Sequence, residues 1–190
     1  MMVKPLAGRK IAVMAANGFT EHDMVWGQRT LATAGAQLKV VGPDSGLVNS
    51  WNGTGWGHHF AVDASVATVL AADFDGLFVP GGQRSLQKLK ENPHCRRIMR
   101  GFIDAGKPVC LLGCAVELLV SAERATGFTV TGDNESMGLL TENGATWADN
   151  ATHCVDHYLL TTTHAESESD FWQMLVAHFN QAPMLLAQAA

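Results

Sequence analysis

Short apolar runs alternate with longer amphipathic segments from one end of the chain to the other. Apolar runs bounded by glycine, proline or charged residues are typical of strands that a parallel sheet buries on both faces. The segments between them space their apolar residues as helices do. The pattern therefore predicts an α/β protein, with a mostly parallel sheet covered by helices on both faces. Strands are predicted at residues 10–15, 37–41, 75–79, 107–112, 129–131 and 158–162.

Helices are predicted between these strands. Asn92-Pro93 marks one start, because Asn caps the first free amides and Pro is tolerated at the first helical position. This helix should stop at Gly106. Apolar residues at 171–179 predict a last helix, whereas residues 43–62 have no clear period and are predicted to be irregular. The buried stripe of a first helix is predicted from apolar residues that recur at a seven-residue spacing: Met24, Val25, Leu31 and Ala32.

The composition is that of a globular protein. The chain has 190 residues, 47% of them apolar and 16% charged, which is enough for one compact core. We find no repeat, low-complexity tract or long linker. A single domain is therefore predicted over residues 1–190, with a core at about 9–180 and a tail at 181–190. No stretch approaches the roughly 20 apolar residues that span a bilayer, and the N-terminus lacks the apolar core of a signal peptide.

The net charge and the number of cysteines indicate which kinds of partner and which cellular compartment are expected. A formal net charge of −5 and a pI near 5.8 argue against a nucleic-acid surface, which needs clustered Lys and Arg. The one local basic group, Arg96, Arg97 and Arg100, is expected to decorate the polar side of a helix. Four cysteines in a chain of this length do not make a disulfide framework, so a reducing cytoplasm is predicted. The histidine spacings do not match a zinc site, and no metal or cofactor is predicted.

The strongest chemical signal lies at residues 106–122, where a buried strand runs into a tight turn and then a helix. This is the geometry of a nucleophile elbow. Gly113 stands at the apex and has no side chain to react. Cys114 follows it at the start of the helix, where free amides and the helix dipole favour a thiolate. The alternative is that Cys114, like Cys110, is a small buried hydrophobe.

Ligands of an open α/β sheet bind beyond the carboxyl ends of its strands. Three turns are placed there, at residues 16–22, 80–82 and 113–114, and we expect them to converge. The backbone amide after Gly81 or Gly82, with the elbow amide, forms a candidate oxyanion hole, unless this turn is merely a strand end. Candidate catalytic residues are Cys114 and Glu21; candidate pocket residues are Thr20, His22, Gly81, Gly82, Gly113, His164, Trp51 and Trp56.

These residues resemble a known family. The sequences FDGLFVPGG at 74–82 and GKPV at 106–109, followed by a thiol-bearing turn, resemble the ThiJ/PfpI family of the type 1 glutamine amidotransferase-like superfamily. Segments 50–63 and 143–149 are similar to its PfpI branch, and the likeness runs from about residue 9 to 179. The resemblance implies a flavodoxin-like three-layer α/β/α sandwich that assembles as homodimers or hexamers.

Active members of that family carry a Cys-His-Gly elbow and a Glu after the first strand. Alignment by counting puts the family's Cys at Gly113, its His at Cys114 and its Glu at Thr20, so all three are replaced. Gly113 cannot be a nucleophile, and Thr20 cannot hold a proton for a thiol as a carboxylate does. The resemblance therefore implies the scaffold and the candidate oxyanion amides, but not the family's protease, amidase, glyoxalase or deglycation activities.

Three functions remain open. The first is a non-catalytic binding or assembly module, which the three replacements favour. The second is the sensing of an unknown small molecule in the elbow pocket, capped by Trp51, Trp56 or His58. The third is a thiol-dependent hydrolase, amidase or glyoxalase-type enzyme that uses a displaced pair, Cys114 with Glu21. Against the third, a misplacement of about 1 Å can lower a rate about 10²-fold.

Overall fold

The computed structural model describes residues 4–164 and 170–181. The strands are β1 Lys10–Met14, β2 Phe19–Thr20, β3 Gln37–Gly42, β4 Gly46–Trp51, β5 Trp56–Val62, β6 Ala64–Ser65, β7 Gly76–Val79, β8 Val109–Leu112, β9 Thr129–Val130, β10 Thr146–Trp147, β11 His153–Asp156 and β12 Leu159–Thr162. The α-helices are α1 Glu21–Thr33, α2 Gln83–Glu91, α3 Pro93–Asp104, α4 Leu118–Ser121, α5 Met137–Glu142 and α6 Phe171–Phe179. Short 3₁₀ turns occupy Ala71–Asp73, Gly113–Glu117 and Asn134–Ser136.

A seven-stranded sheet forms the centre of the fold, in the order β11-β12-β8-β7-β1-β3-β6. All neighbouring pairs are parallel except β11 with β12. A second sheet of three strands has the order β2-β4-β5, and a third pairs β9 with β10. The predicted flavodoxin-like α/β architecture with a mostly parallel sheet is confirmed.

Two apolar layers enclose the central sheet, because alternate residues of a strand point to opposite faces. Met14 and Leu77 belong to the layer that holds the buried faces of α2, α3 and α4. Val13 and Phe78 belong to the other layer, with α1 and α6. All four side chains are at most 1% exposed. Each such side chain stabilises the fold by roughly 1.5–3 kcal/mol through removal from water.

All six predicted strands occur, but β2, β6, β10 and β11 were not predicted, and two further predictions differ from the structure. The predicted strand at 129–131 forms β9, which pairs with β10 outside the central sheet. Residues 43–62, predicted to be irregular, contain the antiparallel hairpin of β4 and β5. That prediction was wrong because most of β5 is exposed or half-buried, so its side chains show no clean alternation of apolar and polar residues.

The first helix forms as predicted, but its buried stripe differs. Met24 and Leu31 are buried, whereas Val25 is 43% exposed and Ala32 is exposed too. Between the two buried residues the stripe passes through Gly27, where an added Cβ would overlap the ring of Phe78. The close approach of helix and sheet depends on a glycine, which hydrophobic periodicity does not count.

Helix α3 starts as its sequence indicates. Asn92 Oδ1 accepts hydrogen bonds from the backbone N–H of His94, at 2.8 Å, and of Cys95, and Pro93 is the first helical residue. No helix among residues 4–164 and 170–181 is long and apolar enough to cross a membrane. The single domain over residues 1–190 stays a prediction. Residues 182–190 of the predicted tail lie outside the described residues.

Candidate functional site

The three turns expected to converge do meet, at the carboxyl ends of β1, β7 and β8. The Thr20 N–H donates to the Gly81 carbonyl oxygen at 2.8 Å. A Cβ on Gly82, whose φ is +117°, would lie 2.6 Å from the Gly18 oxygen, so this contact requires glycine. A Cβ on Gly81 would lie 3.2 Å from the Leu112 oxygen. Backbone therefore packs against backbone at the centre of the candidate site.

The turn after β8 has the backbone conformation of an elbow. Gly113 has a φ of +54°, in the left-handed region, and begins the 3₁₀ turn Gly113–Glu117. A Cβ on Gly113 would lie 3.0 Å from Asp133 Oδ1. Burial, with the nearby Glu135 carboxylate, raises the pKa of Asp133, and an interaction with the Cys114 N–H partly offsets this rise. A carboxyl group thus lies beside the place where an elbow side chain would begin.

Cys114 lies in the apolar layer below this turn. It is 1% exposed, and burial raises the pKa of its thiol to about 12, which the neighbouring Asp133 and Glu117 carboxylates reinforce. An interaction with the Gly82 N–H acts in the opposite direction but is weaker than burial. The raised pKa favours the neutral thiol of Cys114, whereas a helix N-terminus would favour its thiolate. Cys114 as a nucleophile stays a prediction, and its burial weighs against it.

Glu21 faces the β4–β5 hairpin. Its Oε2 accepts a short hydrogen bond from Ser50 Oγ and one of 2.9 Å from the His58 N–H, and its Oε1 lies 2.6 Å from His58 Nδ1. These bonds lower the pKa of Glu21 to about 2, the Ser50 bond contributing most. The charges that act on Cys114 come instead from Asp133 and Glu117. These contacts of Glu21 are thus with the hairpin, and its pairing with Cys114 stays a prediction.

Asp23 is a buried acid at the meeting point of the turns. It is 5% exposed, and its Oδ2 accepts a hydrogen bond from the Gly81 N–H at 2.9 Å. Burial raises the pKa of this carboxyl group above its usual range. His22 Nδ1 lies 3.8 Å from Asp23 Oδ1. The Gly81 amide, which precedes the amides expected in an oxyanion hole, is thus bonded to a carboxyl group of the same chain.

A cavity of about 570 Å³ opens beside these turns, between the start of α1 and the hairpin. Of the predicted pocket residues, Thr20, His22 and Trp51 line it directly, as does the predicted catalytic Glu21. The other predicted pocket residues, Gly81, Gly82, Gly113, His164 and Trp56, are not among its lining residues. The lining residues are Thr20, Glu21, His22, Val25, Trp26, Trp51, Asn52 and Gly53.

Aromatic rings hold two sides of the cavity. Trp51 packs edge-on against Trp56, with 5.4 Å between ring centres, and the Arg84 guanidinium lies 4.2 Å from the centre of the Trp51 ring. On the other side the His22 ring lies 5.9 Å from that of His164 and 6.2 Å from that of Trp26. Trp56 and His164 thus each lie against one lining residue, Trp51 and His22 respectively.

Several residues of this site were missed by sequence reasoning. Asp133 follows strand β9, and the rule that ligand sites lie at the carboxyl ends of strands would have found it. Asp23 lies two residues beyond Glu21, but no sequence signal marks its burial. No group of three or more His, Cys, Asp or Glu side chains that suits a metal ion occurs in the described part of the chain.

Comparison with known proteins identifies a matching family model and several related sequences. A model of the DJ-1/PfpI family matches residues 9–178. General stress protein 18 of Bacillus subtilis is 30% identical over 138 residues, which cover 69% of this chain and 78% of the relative. Deglycase PfpI of Pyrococcus furiosus is 26% identical over 113 residues, or 60% of this chain and 65% of that protein.

Solved structures share the fold. A two-domain protein of Anabaena variabilis with DJ-1/ThiJ/PfpI-like and ferritin-like domains superposes with a TM-score of 0.83 at 20% identity, over 96% of this chain and 55% of that one. A ThiJ/PfpI domain protein of Brachyspira murdochii gives a TM-score of 0.80 at 19% identity, over 92% and 98% of the two chains. With the match of the family model over residues 9–178, this chain belongs to the DJ-1/PfpI family.

Proposed function

We propose that this protein is a non-hydrolytic member of the family, with a degenerate elbow, that binds a small molecule in the cavity between α1 and the hairpin. The observation that carries the proposal is the elbow itself. Its apex is Gly113, and the neighbouring space is taken by the Asp133 carboxyl group. Acyl transfer needs a nucleophile and free donors for the oxyanion. Here the apex offers no nucleophile, and the Gly82 N–H, one of the candidate oxyanion donors, already interacts with the Cys114 thiol.

The cavity suits a small, partly flat ligand. Its volume of about 570 Å³ is within the usual range for small-molecule sites. Trp26 and Trp51 offer aromatic surface, and Asn52 and His22 offer polar atoms at its edge. Glu21 stays ionised near neutral pH because its pKa is lowered to about 2, so the wall beside it is negative. This combination favours an apolar or aromatic ligand that carries a hydrogen-bond donor.

The test is a fragment screen followed by thermal unfolding. A true ligand raises the unfolding temperature of the native protein, because it binds only the folded state. Trp26→Leu, which removes one aromatic wall, should abolish the shift. A matched control, Trp147→Leu on β10, should keep it, since Trp147 is not among the lining residues. Ligands that shift both variants equally, or a screen without hits, would argue against the binding role.

The alternative, an enzyme that uses Cys114 with Glu21, predicts a different result. Relatives are named deglycases, so turnover of an α-oxoaldehyde is the matching assay. We expect no turnover above that of Cys114→Ser. Turnover lost in Cys114→Ser and in Glu21→Gln would support the alternative and overturn the non-hydrolytic proposal.

We further propose that the protein forms homodimers or hexamers and works in the cytoplasm. The first part depends on the family resemblance, and light scattering of the purified protein tests it. The second is supported by the cysteines, all four of which are free. A reducing compartment suits free thiols. Fractionation of cells that express the full chain tests the second part.

A further inference from the structure

An arginine-lined cavity lies on α3, which covers the face of the central sheet opposite α1. It has a volume of about 310 Å³ and is lined by Pro93, Arg96, Arg97 and Arg100. Arg96 and Arg100 are four residues apart and share one side of the helix, and Arg97 lies about 60° from Arg100 around the axis. Instead of only decorating a polar helix face, the three arginine side chains line one concave space.

Two of these groups are held in place by backbone carbonyls. Arg97 Nη2 donates to the Val66 and Val69 oxygens, both at 2.9 Å. Arg100 Nε donates to the Ala122 oxygen at 2.7 Å. A guanidinium carries five N–H donors, so each keeps donors for a ligand after these bonds. Because the groups are already ordered, a ligand would not have to pay the entropy of ordering them.

The cavity has an excess of positive charge. Glu123, which lies 2.7 Å from Arg100, is the one carboxylate paired with these arginines among the described residues. The Arg96 guanidinium has no hydrogen-bond or ion-pair partner within residues 4–164 and 170–181. Three cations against one anion leave two positive charges, on a chain whose formal net charge is −5. Such a patch in an acidic protein attracts a small anion, while the net charge repels a long polyanion.

We propose that this cavity binds a small molecule through a phosphate or pyrophosphate group. Three arginine side chains that line one cavity supply positive charge and N–H donors suited to the oxygens and the double charge of a phosphate. A single carboxylate, with two oxygens in one plane, would pair with only one of the guanidinium groups. The volume, at the lower end of ligand sites, leaves room for the anion and a small organic part.

Calorimetry with inorganic pyrophosphate at constant ionic strength tests the proposal on the full chain. We expect one site, weakened about tenfold in Arg96→Gln, which removes an exposed charge that no described residue uses. Glu123→Gln should act in the opposite direction and tighten binding a few-fold, because it releases Arg100 from its carboxylate. Arg97 is left unchanged because its bonds hold the chain at Val66 and Val69.

The control is Arg29→Gln on α1, which removes the same charge from the other side of the sheet. It should bind pyrophosphate as the unmodified protein does. Equal weakening in Arg29→Gln and Arg96→Gln would mean attraction by overall charge only and would overturn the proposal. So would an absence of binding heat, no tightening in Glu123→Gln, or tighter binding of citrate than of pyrophosphate.

Discussion

Gly113 and Asp133 are coupled at the level of single residues. The left-handed φ of +54° costs any residue with a Cβ, and that Cβ would meet the Asp133 carboxyl at 3.0 Å. Cys114, next along the chain, is covered by the core and has a pKa raised to about 12. The two neighbours thus have opposite constraints: Gly113 must lack a side chain, and Cys114 must bury one.

Gly113→Ala should lower the free energy of unfolding by about 1–2 kcal/mol, the cost of a Cβ in a left-handed conformation. Urea denaturation measures it. Gly138→Ala is the matched control, because Gly138 lies in α5 with open space around it and an ordinary φ. That change should leave the protein as stable or up to about 1 kcal/mol more stable. Equal effects at both positions would contradict the strain at Gly113.

Alkylation of the native protein should separate the cysteines by exposure. Cys154 is half-buried and Cys114 is 1% exposed, with a pKa raised to about 12. Around neutral pH we expect Cys154 to be labelled while Cys114 reacts only on unfolding. Peptide mass spectrometry after a pH series reads each site. Rapid labelling of Cys114 near pH 6 would contradict its burial and revive the thiol enzyme.

At the level of elements, Glu21 joins the start of α1 to the β4–β5 hairpin. Its carboxylate accepts from Ser50, which is fully buried, and from the His58 backbone at 2.9 Å. Gly57 leaves room for this carboxylate, since an added Cβ would overlap Glu21 Oε2. One side chain therefore holds the two elements that enclose the 570 Å³ cavity.

Glu21→Gln should lower the free energy of unfolding by about 1.5–3 kcal/mol, because the hydrogen bonds from Ser50 and His58 lose their charged acceptor. Glu142→Gln, an exposed carboxylate at the end of α5, should change it by less than about 0.5 kcal/mol. A double-mutant cycle with Ser50→Ala should show coupling, since both groups share one bond. Additive effects in that cycle would contradict the link.

For the whole molecule, His178 connects the last helix to the central sheet. It is 2% exposed, its Nε2 lies 3.1 Å from the Val109 oxygen, and burial lowers its pKa to about 4. An unfolded chain would protonate this histidine near its ordinary pKa of about 6.5. Between the two values the unfolded state binds the extra proton, so stability falls as the pH falls from about 6.5 to 4.

The free energy of unfolding should fall by about 3 kcal/mol between pH 7 and pH 4, because the pKa of His178 is about 4 in the folded state and about 6.5 in the unfolded state. Urea denaturation at pH 7, 5.5 and 4 measures it, and His178→Gln, which keeps a donor but does not titrate there, should flatten the dependence. His94→Gln, an exposed residue of α3, should leave it unchanged. The same slope in His178→Gln as in the original chain would show that other groups cause it.

Five of the seven strands of the central sheet could be predicted from sequence because their signals are local, whereas β6, of two residues, and the partly exposed β11 were not predicted. The strands β1, β3, β7, β8 and β12 are apolar over several residues and end in punctuating residues, so period and length suffice. The start of α3 at Asn92-Pro93 and the turn at Gly113 are local signals of the same kind. The sequence alone therefore determined the fold class, the elbow and the place where its turns would meet.

The tertiary structure alone decided where the side chains of that place point. The direction of Glu21 depends on Ser50 and His58, far away in sequence, and the surroundings of Gly113 depend on Asp133. Burial of Cys114 against the core reversed the direction that the helix terminus favours for its pKa. Periodicity records which residues are apolar over a few turns of chain. Desolvation and hydrogen bonding depend on segments that only the folded chain brings together.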